Sequence, residues 1–119
     1  MSRLTGLVRE VVGGNPGVMA ALVFDDEGRV EASAGTSDEM VSAAVAIFVP
    51  MRELLERTAA SLGCGEMRST LLQGSKATLA VTDIDGVQAV AVMGTEAAAP
   101  GPLLEDSAWL ARRLREGGH

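Results

Sequence analysis

The chain has 119 residues, a length typical of one domain built around a single hydrophobic core, so we expect one domain over residues 1–119. Apolar residues make up 47% of it and charged residues 22%, a composition that excludes disorder as the default expectation. The 10 basic residues against 16 acidic ones give a formal net charge of -6, which repels a phosphate backbone and excludes nucleic acid as an expected partner.

Redox and targeting features predict a cytoplasmic protein. Cys64 is the single cysteine, so no disulfide can form within the chain, and a lone thiol favours a reducing compartment. The N-terminal segment carries charges and lacks the apolar core of a secretory signal. The uncharged run from Met40 to Met51 is far shorter than the roughly 20 residues of a membrane span, so we expect no membrane insertion.

Hydrophobic spacing predicts the first helix and the first two strands. The helix has one apolar face, made of Leu4, Leu7, Val8, Val11 and Val12. Ser2 is a candidate N-cap, and the glycines before Pro16 end the helix. The apolar run Val18–Phe24 predicts a strand covered on both faces. After a turn at Asp25–Gly28, the alternation in Val30–Ala34 predicts an edge strand with one wet face.

A long second helix is predicted from Glu39 to Leu62. Ser37 and Asp38 are capping residues at its start, and the glycines on either side of Cys64 end it. Pro50 removes a backbone hydrogen bond inside this segment, so we expect it either to bend the helix or to split it into two.

Three further strands and a last helix follow. The strands are Met67–Gln73, Ala77–Ile84 and Val87–Met93. Gly74-Ser75 and Asp85-Gly86 join them as turns, and the last helix runs from Leu103 to about Glu116. The sequence therefore predicts a mixed α/β (α+β) fold of order α-β-β-α-β-β-β-α. It has a five-stranded antiparallel sheet with helices on both faces and the two most apolar strands, Val18–Phe24 and Val87–Met93, at the centre.

The sequence lacks residues for catalysis. The only His is the last residue, Tyr is absent, and Cys64 has no His partner. Gly13–Gly17 follows a helix and lacks the Lys-Ser/Thr pair of a phosphate-binding loop, so we interpret it as a helix stop. Asp25–Glu27 lacks calcium-loop spacing and is interpreted as a solvated turn. We expect no enzyme activity, cofactor or metal. Cys64 is either a reactive thiol or a small residue that fills a tight turn.

The second helix is apolar all round in its first half. The face assigned to the core is Met40, Val41, Ala44, Ile47, Phe48, Met51, Leu54 and Leu55. An opposite stripe of small residues, Ser42, Val45, Ala46 and Val49, allows a second helix to approach closely, and Glu53 and Glu56 continue it in polar form. We predict that this stripe meets its own copy in a homodimer. The alternative is a loop of the same chain that covers it.

Trp109 lies on the charged side of the last helix, among Glu105, Asp106, Arg112, Arg113 and Glu116. Trp is a frequent anchor at protein interfaces, so partner contact is one interpretation. The other is a ring half-buried within its own domain.

Four stretches together resemble a known family. They are GVMAALVFDDEGRVEASAG after the first helix, the Ala-rich helix from Asp38, LGCGEMRSTLLQG, and ATLAVTDIDGVQAVAVMG. From about Arg3 to Leu114 the chain resembles the Roadblock/LC7 domain family, and within it the bacterial MglB-like members that accompany small Ras-like GTPases. The sharpest matches are the Asp25–Gly28 turn and the Gly63-x-Gly65 junction.

The resemblance implies a homodimer with a small Ras-like GTPase as its partner. The second helices would pack side by side and the Met67–Gln73 edge strands would pair, which puts Met67, Ser69 and Leu71 at the interface. The GTPase would dock on the paired helices, where Arg52, Glu53, Glu56 and Arg57 would be exposed. The dimer would either stimulate hydrolysis or hold the GTPase in place. An arginine finger must reach the γ-phosphate, and a solvated helix face is the alternative role for Arg52 and Arg57.

Two other functions stay open from the sequence. The same dimer could be an adaptor or scaffold with no GTPase involved. A small-molecule sensor is the second alternative, because domains of this size can open a pocket beside the sheet, with Thr78 and Thr82 as candidate polar groups.

Overall fold

Helices and strands follow one another in the predicted order. The computed structural model describes residues 3–95 and 98–116, so the predicted cap Ser2 lies outside the described residues. The helices are α1 (Arg3–Gly14), α2 (Asp38–Ser61) and α3 (Pro100–Glu116). The strands are β1 (Val18–Asp25), β2 (Val30–Ala34), β3 (Ser69–Gln73), β4 (Ala77–Asp83) and β5 (Gln88–Thr95).

The five strands form one antiparallel sheet in the order β2-β1-β5-β4-β3. This confirms the prediction that β1 and β5 are inner strands, with β2 and β3 at the two edges. β4, which was expected to lie outside them, is an inner strand as well. Inner strands are covered on both faces, which explains why their sequences are almost wholly apolar. β3 begins at Ser69, two residues later than predicted, and the backbone N–H of Asp83 donates to the Arg68 carbonyl just before it.

Helices cover both faces of the sheet, as predicted. α1 and α3 pack on one face, where Val8 and Leu110 meet Val23 and Val90 of the inner strands. On the other face α2 packs over a smaller cluster in which the rings of Phe24 and Phe48 lie 5.7 Å apart. Burying each side chain of this kind contributes roughly 1.5–3 kcal/mol.

The predicted core face of α2 is confirmed for Val41, Ala44, Phe48 and Met51, but the helix is rotated relative to the rest of the prediction. Its inward stripe is Val41, Val45, Phe48 and Arg52, and Val45 is only 4% exposed although it was assigned to the outer face. Met40, Ile47 and Leu54 were assigned to the core and are instead 58%, 64% and 57% exposed. The error has one physical cause: a charged residue was not expected inside, whereas Arg52 is buried and completes the inward stripe.

α2 is one continuous helix of 24 residues that contains Pro50, so the proline does not split it. The Ser37 side chain accepts a hydrogen bond from the Met40 backbone N–H and caps the first turn, as predicted. Pro50 is exposed. Because α2 is unbroken, it presents a long outer surface to solvent, and the candidate site lies on this surface.

Candidate functional site: the outer surface of α2 and the β3 edge

A row of large apolar side chains runs along the outside of α2. Met40, Ile47 and Leu54 recur at i, i+7 and i+14, which keeps them on one side of the helix. A single exposed apolar residue is normal, but a row of three along one helix indicates a contact surface. We call Met40, Ile47 and Leu54 the apolar row.

The edge strand β3 lies on the same side of the molecule as one flank of α2. Leu55 and Thr58 of that flank line an open groove with Leu62, the C-cap of α2. Met67, just before β3, and Thr70 within it line the other side. The outer backbone groups of an edge strand have no partner within the sheet and are open to pairing with another strand. Leu54 precedes Leu55 and lies four residues before Thr58, so helix spacing puts the apolar row next to the groove and the strand edge.

The strand register fixes which β3 side chains belong to this surface. Leu72 pairs with Leu79, which packs beneath α2, so Leu72 lies on the α2 side and is half exposed. Leu71 and Ser69 pair with Ala80 and Thr82, so they lie on the α3 side of the sheet.

The stripe predicted for the dimer interface lies on the other flank of α2. Val49 and Glu53 line a small recess with Asp26 of the β1–β2 turn, and Gly28 of that turn approaches Val45. Ser42, Ala46 and Glu53 are exposed and Val49 is half-buried, but Val45 is buried in the core. The placement of Val45 on an outer surface is wrong, because the β1–β2 turn and the sheet cover it.

Arg52 does not lie on the exposed surface predicted for partner binding. Its side chain is 4% exposed, and its guanidinium donates to the Val87 carbonyl, at 2.9 Å, and to the Asp83 carboxylate. The Nε atom lies 3.3 Å from an Oε1 of Glu56. These contacts hold α2 against the β4–β5 turn. An arginine finger must be free to reach a nucleotide, so this burial removes Arg52 from that role.

Glu56 and Arg57 are exposed on α2, as predicted. Glu56 is paired with Arg52, which leaves it partly neutralised, whereas the Arg57 guanidinium has no ion pair within residues 3–95 and 98–116. Of the two arginines considered on this helix, Arg57 is thus the one that a partner can contact.

Trp109 is half-buried in its own domain. It packs against the α1–α3 core cluster, and the guanidinium carbon of Arg113 lies 5.7 Å from the centre of its ring, within cation–π range. These contacts fit the interpretation of Trp109 as a ring half-buried within its own domain, and its contact with a partner stays a prediction.

The β1–β2 turn is organised by a buried carboxylate and is not simply solvated. Asp25 is 5% exposed, and its side chain accepts hydrogen bonds from the backbone N–H groups of Glu27 and Arg29 and from Arg29 Nε. The backbone hydrogen bond from Arg29 is the largest cause that lowers the pKa of Asp25 below its ordinary value, and it outweighs the opposing effect of burial. The carboxylate serves the turn itself.

Other chemistry finds little support on the described surface. Among the described residues no cluster of three or more His, Cys, Asp or Glu side chains is arranged to hold a metal ion. Cys64 is exposed and unpaired in the turn that ends α2, where its backbone N–H donates to the Ala59 carbonyl, so both interpretations of this thiol stay open. No helix within residues 3–95 and 98–116 combines the length and apolar character needed to cross a bilayer.

A ligand pocket between α2 and the sheet is also poorly supported. The apolar recess beneath the first half of α2 has a volume of ≈ 50 Å³, well below the roughly 300 Å³ of a typical small-molecule site. Thr78 and Thr82 are buried, and the Thr82 hydroxyl is hydrogen-bonded to Ser107 at 2.7 Å. Their polar groups are not available to a ligand in this arrangement.

Comparisons with known proteins identify the fold and the family. Among solved structures, a Roadblock/LC7 domain from Streptomyces avermitilis superposes with a TM-score of 0.88 at 20% identity, covering 98% of each chain. Myxococcus xanthus MglB gives a TM-score of 0.88 at 13% identity, covering 98% of this chain and 94% of that one. An MglB with a tetrameric arrangement gives a TM-score of 0.85 at 17% identity, covering 96% of this chain and 86% of that one.

At these identities the structural likeness establishes the fold alone. A search of curated proteins gives no match. The model of the Roadblock/LC7 domain matches residues 4–94, which is most of the chain. The protein belongs to the Roadblock/LC7 domain family.

Proposed function

We propose that this protein is a non-catalytic, single-domain homodimer that binds a small Ras-like GTPase and either stimulates its hydrolysis or holds it in place. Family membership gives the coarse function, a regulatory domain that acts through protein contacts. The observation that carries the proposal is the surface formed by the apolar row and the open β3 edge.

The dimer contact that we propose uses the flank of α2 next to β3. A two-fold axis beside β3 lets the two β3 edges pair and also brings the two apolar rows together, because both lie on that side of the protomer. The flank that carries Ala46 and Glu53 faces the β1–β2 turn and stays outside this contact. An MglB of similar fold has a tetrameric arrangement, so self-association occurs within this fold.

Light scattering of the intact chain tests the dimer. Ile47→Glu places a charge in the centre of the apolar row, and we expect it to halve the mass while circular dichroism stays that of the folded protein. Ala46→Glu is the matched control, since it adds the same charge at the neighbouring exposed position on the other flank. A dimer that persists in Ile47→Glu contradicts this contact.

The GTPase partner requires a separate test. A small Ras-like GTPase from the same organism is loaded with a non-hydrolysable GTP analogue or with GDP, and its affinity for the wild-type dimer is measured. We expect binding that depends on the nucleotide and that Arg57→Ala weakens. If the GTPase binds in neither nucleotide state, the result contradicts the GTPase proposal and favours the adaptor alternative. The rate of GTP hydrolysis is then measured with the wild-type dimer and with Arg57→Ala. A rate that the dimer does not raise means that it only holds the GTPase in place.

A further inference from the structure

A small recess opens on the flank of α2 that faces the β1–β2 turn. Its volume is ≈ 190 Å³, below the roughly 300 Å³ of a typical small-molecule site, so it suits a single side chain of a partner. The β1–β2 turn, α2 and the β4–β5 turn form its walls, which are lined by Asp26, Val49, Arg52, Glu53, Glu56 and Gly86. We call this the acidic recess. No residue of the apolar row or of β3 lines it, so it lies outside the proposed dimer contact.

Negative charge dominates the acidic recess. Its lining residues include three carboxylates and one cation, Arg52, whose charge is already balanced by Asp83 outside the recess. The Asp26 and Glu53 side chains form neither an ion pair nor a hydrogen bond with any other residue in the ranges 3–95 and 98–116. The third carboxylate, Glu56, lies near Arg52 and is 47% exposed. The recess therefore has an excess of acceptor oxygens that only a donor from outside can satisfy.

Neighbouring arginines do not supply the missing positive charge. Arg29 is paired with two carboxylates of its own turn, Asp25 and Glu27. Arg57, farther along α2, does not line the recess and forms no ion pair within the part of the chain that the structure describes. The charge of the recess is thus complementary to a cation of a partner.

A buried donor in the wall of the acidic recess also lacks a partner. The Arg52 side chain is 4% exposed, and its two terminal nitrogens donate to the Val87 carbonyl and to the Asp83 carboxylate. Its Nε atom donates no hydrogen bond, although an oxygen of Glu56 lies 3.3 Å away. Buried N–H groups nearly always have a partner, so this donor points to an acceptor that the described residues do not supply. The poor alignment also leaves the Glu56 oxygens open to a donor from outside.

We infer that the acidic recess binds a basic segment of a partner protein, with an Arg or Lys side chain in the recess and a backbone carbonyl beside it. The cation donates to the carboxylates of Asp26 and Glu53, and the carbonyl accepts from Arg52 Nε. A polyamine carries charge and donors but no acceptor. A metal ion fits less well, since the described side chains form no group of three or more His, Cys, Asp or Glu that could hold one. The net charge of -6 adds long-range attraction for a basic partner.

Fluorescence anisotropy with a labelled peptide of alternating Arg and Gly tests this inference on the full chain. We expect salt-sensitive binding that weakens about threefold for each of Asp26→Asn and Glu53→Gln. The same peptide with Gln in place of Arg should not bind. In two-dimensional NMR spectra of the complex, we expect the side-chain Nε–H resonance of Arg52 to shift together with the backbone amide of Gly86, because both line the recess.

Glu105→Gln is the matched control, because it removes the same charge from an exposed glutamate of α3, on the opposite face of the sheet. No binding of the Arg peptide, or an equal loss in Glu105→Gln and Glu53→Gln, overturns the inference. An Arg52 Nε–H resonance that does not move overturns the role of that donor. Spermine that binds as tightly as the peptide overturns the assignment to a peptide. Because none of these variants lies in the apolar row or at Arg57, failure here leaves the proposed dimer and GTPase contact untouched.

Discussion

The guanidinium of Arg52 on α2 donates to the carboxylate of Asp83 at the end of β4, and this ion pair joins the helix to the turn end of the sheet. α2 has few other polar links to the sheet in the described part of the chain, since its remaining contacts there are apolar side chains such as Phe48. The pair therefore fixes the position of the helix that carries the apolar row.

Loss of this ion pair is expected to cost much more stability than loss of an exposed arginine. Arg52→Ala leaves the Asp83 carboxylate without its cation, and removing one partner of a buried pair costs about 3 kcal/mol. Urea denaturation of Arg52→Ala and of the exposed control Arg57→Ala measures the difference. A loss in Arg52→Ala no greater than in Arg57→Ala would show that the ion pair does not stabilise the fold.

Gly35 is expected to tolerate no side chain. Its φ of 84° lies in the left-handed region, and a Cβ atom there would lie 2.1 Å from the Met19 carbonyl oxygen, a backbone atom that cannot move aside. We expect Gly35→Ala to cost roughly 3 kcal/mol or more. Gly86→Ala is the control, because Gly86 also has a positive φ but open space around it, so only the backbone strain of about 1 kcal/mol applies. Similar thermal midpoints for the two variants would contradict the steric argument.

Hydrophobic periodicity was sufficient to predict the element order and the inner position of β1 and β5, because these strands are apolar except at their ends. It failed for the rotation of α2, because Arg52 is buried through a partner that is distant in the sequence, Asp83. The same limit applies to Asp25, which was interpreted as solvated and is covered by its own turn. Hydrophobic periodicity assigns burial from the residue type alone. A charged residue such as Arg52 is buried because another residue pairs with it, and the spacing of residue types does not show that partner.

Asp25 is expected to make stability depend on pH at the acid end. Its pKa in the folded protein lies below the ordinary value of 3.8, because the backbone N–H of Arg29 donates to its carboxylate. The stabilisation is therefore complete above 3.8 and is lost as the pH falls through the lowered pKa. Denaturation midpoints of wild type and Asp25→Asn should differ at pH 7 and converge toward the acid limit. Asp26→Asn, at an exposed position in the same turn, is the control, and a difference for Asp25→Asn that is as large at the acid limit as at pH 7 would contradict this account.

The Thr82 hydroxyl is expected to depend on Ser107 as its acceptor. Ser107 is fully buried and donates to the Leu104 carbonyl, so Ser107→Ala removes the 2.7 Å hydrogen bond to Thr82 and leaves Thr82 with Ser69 as its hydroxyl partner, at a cost of about 1 kcal/mol. Thr82→Val removes the same hydrogen bond while keeping the side-chain shape, so the loss in the double variant should be smaller than the sum of the two single losses. A double-mutant cycle by urea denaturation measures the coupling between the two residues. Additive losses would show that the hydroxyl groups of Thr82 and Ser107 are not coupled.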